Sequence, residues 1–425
     1  MQARKSLIAM AVLASLSGAA FAGNGTVTTY QNGSDNGTVV EQSGSTNSNV
    51  NVTQTGRNNT AGASAGALYQ ASADSTLTVL QNNAYNTAAA TQNGGVRNEG
   101  TIAQTGKSGN SANNAQKAAL TQSGSWNTGA ILQNANSGRD NAATLGQNGN
   151  GNNAELNQDN NAKAVASVSQ SGNDNQASSA QRNNGNAKAT VTQAGNNNAA
   201  AATQTNTYGA QATISQQGSY NKAWTNQLSG TAFSSATANQ NGLDNNGIVN
   251  QVTAWGSDAS LNQSGNSNKG LISQNSTGYT QAFLTQTGNN NTGDLNQEVV
   301  YGSKINGTQA GNYNEVVASQ SVGRNLTADI KQDGVANKIT STQTGAYNQL
   351  TSRQEGNDNR ITSTQAGYDN DAYLTQTNGG YNVIDLTQTA SAANSVATVN
   401  QAGSYLTANV TQTGGSNNTA TINQR

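Results

Sequence analysis

From Gln31 to Gln424 a glutamine returns mostly at steps of eleven or twelve residues, and this regularity restricts the fold more than any other feature of the chain. The central stretch runs Gln158, Gln170, Gln181, Gln193, Gln204, Gln216 and Gln227, then Gln240, Gln251, Gln263, Gln274, Gln286, Gln297, Gln309, Gln320, Gln332 and Gln343. Two unequal steps make a unit of 23 residues with two similar halves. A period of that length belongs to stacked repeats, in which each unit touches only its neighbours, and not to an ordinary globular core.

Parity within a half-repeat gives its geometry. In the segment 332–343, Asn337, Ile339, Ser341 and Gln343 are two apart and face one side of a strand, while Lys338, Thr340 and Thr342 face the other. The step from Gln332 to Asn337 is odd, so it marks a turn, and Gly334 sits inside it. Glycine is the residue that accepts a positive φ or a close backbone approach most readily. The pattern predicts an inward polar ladder of Gln263, Asn268, Gln274, Gln286, Asn291, Gln297, Gln309, Asn314, Gln320, Gln332, Asn337, Gln343, Asn348, Gln354, Asn359 and Gln365. Gly265, Gly288, Gly311, Gly334, Gly345, Gly356 and Gly367 are the matching arc glycines. The twelve-residue halves place the extra residue in the arc and put Ala, Ser or Thr six places before the next glutamine, as at Ala164, Ala187, Ala210, Ser257, Thr280 and Ser303.

The expectation is an all-β, two-strand-per-turn solenoid with cross-β stacking. About 34 strands make about 17 rungs, or roughly 80 Å of body at ~4.8 Å per rung. Each half is read as a six-residue strand step and a five-residue arc, the alternate arc one residue longer. The core is thin, so glutamine carboxamides bonded rung to rung must add to it, each bond netting about 0.5–1.5 kcal/mol. Longer gaps at Gln54–Gln70, Gln104–Gln122 and Gln133–Gln147 are read as arcs bulging outward near 55–69, 105–121 and 134–146, within one domain spanning 23–425.

Composition agrees with stacking. Hydrophobic residues are 33% and charged residues 9%, yet net charge is −1 and proline is absent, whereas disordered chains combine low hydrophobicity with high charge and proline. Stacked strands need every N–H and tolerate few like charges. No cysteine and no histidine are present, which removes disulfides, thiol chemistry and the commonest metal and acid–base ligand, so neither an enzyme nor a cofactor is expected. Mild acidity argues against nucleic acid as a partner. Met1 to Ala22 has Arg4 and Lys5, an apolar run from Leu7 to Leu16 and Ala20-Phe21-Ala22, the pattern of a secretory signal peptide cut before Gly23.

Written as S-x5-Q-x-G-x2-N-x5-Q, the grammar resembles the curlin repeat of bacterial curli. Ser257, Gln263, Gly265, Asn268 and Gln274 fill its places, and so do Ser303, Gln309, Gly311, Asn314 and Gln320. The resemblance spans Gln31 to Gln424 and implies an extracellular functional amyloid that supports biofilm matrix, surface adhesion and cell aggregation. It also implies a set of partners: copies of the chain joined end to end, other curlin subunits or a nucleator, a dedicated outer-membrane secretion pore with periplasmic chaperones, and abiotic or host surfaces and matrix polysaccharide. The chain is several times longer than the usual curlin subunit, and the Gly/Asn-rich export segment before the repeats is short or missing. Asn423-Gln424-Arg425 resembles the basic ending of the nucleator subunit.

No capping repeat or helix is legible before Gln31 or after Gln424, so open strand edges are expected to template the next chain. The alternative is a solenoid that does not polymerise, an adhesin or an ice- or ligand-binding protein. Its outward Thr285, Thr342, Thr375, Thr387 and Thr411 form a rank that Ser215, Asn262, Lys331 and Arg353 interrupt. Aromatics recur four places after the glutamine, at Tyr85, Trp126, Tyr208, Tyr220, Trp255, Tyr301, Tyr313, Tyr347 and Tyr405. They are read either as arc packing or as exposed stripes that grip surfaces or polysaccharide, with Tyr85, Trp126, Tyr220, Trp255, Tyr313 and Tyr347 as the surface candidates.

Overall fold

The computed structural model describes residues 23–62, 67–106, 115–135 and 140–425. The expected leader at 1–22 lies outside the described residues, as do 63–66, 107–114 and 136–139 within the three long gaps. The described chain contains 36 strand segments and no helix. Gly37–Thr38 with Val40–Gln42, and Thr60–Ala61 with Leu68–Ala73, are each one strand in two pieces, which leaves 34 strands, two per rung, in 17 rungs.

All strands pair in parallel, each with the strand one full turn later. Two sheets result. The first carries the glutamine column from Gln31 to Gln412, and the second the column from Gln42 to Gln424. Register keeps like over like: Gln263 pairs with Gln286 and Gly265 with Gly288, then Gln286 with Gln309 and Gly288 with Gly311. This register follows from parity, because a one-residue slip would turn every buried side chain outward. In Lys338–Ala346, for example, Ile339, Ser341 and Gln343 are buried while Lys338 is exposed.

The two sheets face each other over one continuous core. Its large members, such as Leu145, Leu156, Ile214, Leu261, Ile272, Leu284 and Leu295, are fully buried. Bulky residues are accommodated by small ones opposite. A Cβ on Gly270 would lie 2.4 Å from a Leu261 methyl, and one on Gly293 would lie 2.5 Å from a Leu284 methyl. These strand glycines are therefore the space into which leucines of the facing sheet pack.

Two features differ from the sequence expectation. First, most strands of both sheets are longer than six residues: Thr327–Val335 runs through Gln332 and Gly334, and its pairing continues as Asp333 with Glu355 and Gly334 with Gly356. The arcs are hydrogen-bonded too, because identical arcs stacked in register present N–H and C=O groups to one another. The longer arcs pair through single bridges from Ala162 through Gly185, Tyr208, Ala232, Trp255 and Gly278 to Tyr301. Second, the insertion in 55–69 does not lengthen an arc. It interrupts a strand between Ala61, paired with Ala88, and Tyr69, paired with Thr91. At the other two gaps the first-sheet strands end at Gly106 and Ala135, and the next described strands begin at Lys117 and Ala142.

Candidate functional site

The surfaces that can do something here are the amide ladders, the two edges made by the arcs and the first and last rungs of the described residues. We call the edge running from second to first sheet the glycine edge, and the opposite one the wide edge.

Along both sheets, each glutamine Nε2 donates to Oε1 of the glutamine in the following rung. Gln263 to Gln286, Gln286 to Gln309 and Gln309 to Gln332 measure 2.8, 2.8 and 3.0 Å. On the other sheet Gln274 to Gln297, Gln297 to Gln320, Gln320 to Gln343 and Gln343 to Gln365 measure 2.9, 2.9, 2.9 and 2.8 Å. Gln332 to Gln354 continues the series at 2.9 Å. The same Nε2 also crosses the core to a backbone carbonyl of the facing strand: Gln263 to Asn246 O at 3.1 Å, Gln286 to Lys269 O at 2.9 Å and Gln309 to Thr292 O at 3.0 Å. Each carboxamide thus ties rung to rung, the ladder expected from the glutamine spacing, and also sheet to sheet, which that spacing does not show.

The asparagines form a second ladder of opposite polarity on the glycine edge. Nδ2 of Asn291 donates back to Oδ1 of Asn268 at 3.1 Å, Asn314 to Asn291 at 3.2 Å and Asn337 to Asn314 at 3.2 Å. Asn359 bonds Asn337 Oδ1 through its backbone N–H at 3.1 Å. Each Nδ2 also donates forward to the arc glycine of the next rung: Asn268 to Gly288 O and Asn291 to Gly311 O at 2.8 Å, Asn314 to Gly334 O at 3.0 Å and Asn337 to Gly356 O at 2.7 Å. Asn348 lies on the wide edge instead, where its Oδ1 accepts from the Asn370 N–H at 2.9 Å.

Gly265, Gly288, Gly311, Gly334 and Gly356 stack on the glycine edge with φ between +103° and +126°. A Cβ on any of them would sit about 2 Å from the next rung's glycine carbonyl, for instance 2.0 Å from Gly334 O at Gly311. Gly345 and Gly367, at φ +93° and +111°, hold the same role on the wide edge, where the half-repeats Gln343–Gln354 and Gln365–Gln376 shorten to eleven residues.

The six surface aromatics do not form one stripe. Trp126, Tyr220 and Tyr313 lie on the glycine edge, each exposed and separated by several rungs, while Tyr85, Trp255 and Tyr347 lie on the wide edge. Tyr85 is only half-exposed, with the Arg57 guanidinium 6.0 Å from its ring centre. Arg97 lies 4.4 Å over Trp126. Trp126, Tyr220, Tyr313 and Tyr347 hold φ between +58° and +63°, a left-handed conformation costing about 1–2 kcal/mol per non-glycine residue. The wide edge also gathers aromatics the sequence reading missed. Phe233, Tyr279 and Tyr368 sit six, five and three places after their glutamines, so spacing from the glutamine hides that stacking aligns them.

The outward threonines separate by sheet. Ser215, Asn262, Lys331 and Arg353 interrupt the rank on the second sheet, which carries Thr285 and Thr375, whereas Thr342, Thr364, Thr387 and Thr411 stack unbroken on the first. Among the acids, burial raises Asp258, Asp294 and Asp371 above the ordinary carboxylate value, and Asp369 adds repulsion at Asp371. Lys338 and Arg360 pair with Glu315 and Asp385 of adjacent rungs at 2.9 and 3.2 Å. Among the described residues no cluster of three acids could hold a metal.

Compared with known proteins, the chain matches no family model, and no curated protein matches it either.

Among the described residues, the first rung, which includes Thr26–Ser34, is exposed along its whole first strand, and the last rung pairs on one side only. No described side chain donates to Oε1 of Gln31 or Gln42, whereas Gln412 and Gln424 have accepted their ladder bonds from Gln388 and Gln401 at 2.8 and 2.7 Å.

Proposed function

We propose that the protein is a structural subunit that polymerises end to end into an extracellular curli-like amyloid fibre, exported through the periplasm, and serves adhesion and matrix building. The reading rests on the polarity of the glutamine ladder. Every ladder donor points toward the C-terminal rung, so one face of the described solenoid offers carboxamide acceptors and the other offers donors. A second copy added head to tail continues both columns: Val27, Thr29 and Gln31 meet Ala408, Val410 and Gln412, and Thr38, Val40 and Gln42 meet Ala420, Ile422 and Gln424. Head-to-head contact would set acceptor against acceptor. Such a heterologous contact does not close on itself and generates a filament. Strand edges paired on one side are templates for addition, and among the described residues both end rungs have them.

The curlin-type grammar at Ser257–Gln274 and Ser303–Gln320 supports the same reading. A structural role, with no catalytic or cofactor chemistry, fits a surface made of repeated amides and hydroxyls. Fresh Gly23–Arg425 chain mixed with sonicated fibres should elongate without a lag and bind an amyloid dye. A chain that stays monomeric for days with seeds present rules the proposal out. The four-rung threonine rank favours a non-polymerising ligand-binding face as a second reading, but it covers only Thr342 to Thr411 of the first sheet.

A further inference from the structure

The wide edge between Gln204 and Ser303 differs from the rest of the surface. Five consecutive rungs there present Tyr208, Phe233, Trp255, Tyr279 and Tyr301, each 51–57% exposed. Ring centres lie 5.4 Å apart from Tyr208 to Phe233, 6.2 Å from Phe233 to Trp255 and 5.5 Å from Tyr279 to Tyr301. At the ~4.8 Å rung spacing the track is roughly 19 Å long and one ring wide. The arcs that carry it, 205–209, 228–233, 252–256, 275–279 and 298–302, hold Glu298 as their single charged group, among Thr, Ser, Asn, Gly and small apolar residues.

We propose that this track docks a neutral, linear polysaccharide. The C–H face of a pyranose ring stacks on an aromatic face, and hydroxyls at its rim find the exposed hydroxyls of Ser229, Thr253 and Ser276 and the exposed amide of Asn206 beside the rings. The rings recur along one axis with neighbouring planes turned by 75°, 46° and 73°, so a polymer that repeats along the same axis meets a ring face or edge at each rung. Charge selects against the other polymers. An anionic polysaccharide or nucleic acid needs cations along its path, and the track has none. In the two wide-edge arcs adjoining the track, Arg182 pairs with Asp159 at 3.5 Å and Arg324 lies over the Tyr347 ring at 5.5 Å. Area selects against a second copy of this chain. A strip of this size offers on the order of 200 Å² per partner, where a stable protein interface needs about 800 Å².

A single solenoid carries the whole track, so the inference stands apart from polymerisation. The test uses the Gly23–Arg425 chain, fresh and as fibres, with microcrystalline cellulose and cellohexaose as neutral probes and polygalacturonate as the anionic one. Wild type should bind both neutral glucans and shift its tryptophan fluorescence. Replacing all five rings with Ser should weaken binding at least tenfold, while Trp126→Ser/Tyr220→Ser/Tyr313→Ser on the other edge should change it less than twofold. Trp255→Phe should keep binding within about threefold and lose the fluorescence shift. If the five-ring variant loses its β-sheet circular dichroism, Trp255→Ser/Tyr279→Ser serves instead, with a drop of at least threefold expected. Four results overturn the proposal: no wild-type binding to either glucan, unchanged binding by the stripe variants, polygalacturonate bound as tightly as cellulose, or stripe variants that bind glucan normally but lose lateral bundling of fibres.

Discussion

Gly311→Ala and Gly146→Ala add the same methyl group to strands of the same sheet, and the structure predicts opposite outcomes. At Gly311 the new Cβ would lie 2.0 Å from Gly334 O and 2.8 Å from its carbon, at a φ of +103°. The carbonyl must move by about 1 Å or more, and it is the one that accepts Asn314 Nδ2 at 3.0 Å. The strained backbone costs about 1–2 kcal/mol, and an Asn314 amide left without that partner in a part-buried site costs about 1–3 kcal/mol more. A loss of roughly 2–5 kcal/mol is therefore expected, confined to the rungs of Gln309 and Gln332, because a solenoid's rungs are coupled mainly to their neighbours. At Gly146 nothing lies within 4 Å of the new methyl, so removing glycine's extra freedom in the unfolded chain should be neutral or stabilise by up to about 1 kcal/mol. Hydrogen exchange read peptide by peptide, with denaturant midpoints beside it, separates the two. Amides of 309–337 should lose protection in Gly311→Ala, and those of 142–173 should keep it in Gly146→Ala. Equal behaviour of the two variants would refute the stacked-glycine reasoning.

Other perturbations probe the core and the charges. Gln309→Leu leaves Gln332 Oε1 and Thr292 O without their donor and Gln286 Nε2 without its ladder acceptor, so denaturation should show a loss of roughly 2–5 kcal/mol against little change for the outward Thr308→Leu. Thr225 is fully buried and its hydroxyl has no partner among the described residues, so the nearly isosteric Thr225→Val should raise the denaturation midpoint, by about 1 kcal/mol in stability; a lower midpoint would show that the hydroxyl is satisfied. Asp258, Asp294 and Asp371 have folded pKa values raised above the 3.8 they hold when unfolded, so between 3.8 and those raised values the folded chain binds more protons. Their ionisation therefore opposes folding, and its cost is relieved as pH falls through that window. Relative to Asp258→Asn/Asp294→Asn/Asp371→Asn, wild type should gain stability as pH falls from 7 toward 3.8, and a relative loss would reverse the sign of the argument.

The parts of the fold visible in the sequence are those that repeat at fixed offsets. Glutamine spacing and the parity of Asn337, Ile339, Ser341 and Gln343 translate directly into a buried column, because a strand alternates with period two and stacking copies it rung by rung. What depends on the facing sheet is not visible in that way. The bond from Gln286 Nε2 to Lys269 O crosses the core, and the space that Gly270 and Gly293 leave for Leu261 and Leu284 exists only once the two sheets meet. Aromatic spacing misled for a related reason. Counting four places from each glutamine merged two arcs of different geometry, so Tyr220 and Trp255 were grouped although they lie on opposite edges, while Phe233 and Tyr279 went unseen beside Trp255. The interrupted strand at Ala61 and Leu68 escaped because a long gap says how many residues are inserted and not where the ladder resumes.

Mass per unit length of unstained fibres, measured by scanning transmission electron microscopy together with fibre diffraction, tests the central claim most directly. Seventeen rungs stacked end to end place one chain in about 80 Å of fibre, with a meridional reflection near 4.8 Å. Fibres holding one chain per about 80 Å are the predicted result. A mass per length fitting one chain per ~4.8 Å layer, as when each chain lies flat in a single layer, would contradict the solenoid stacking, and so would the absence of the reflection.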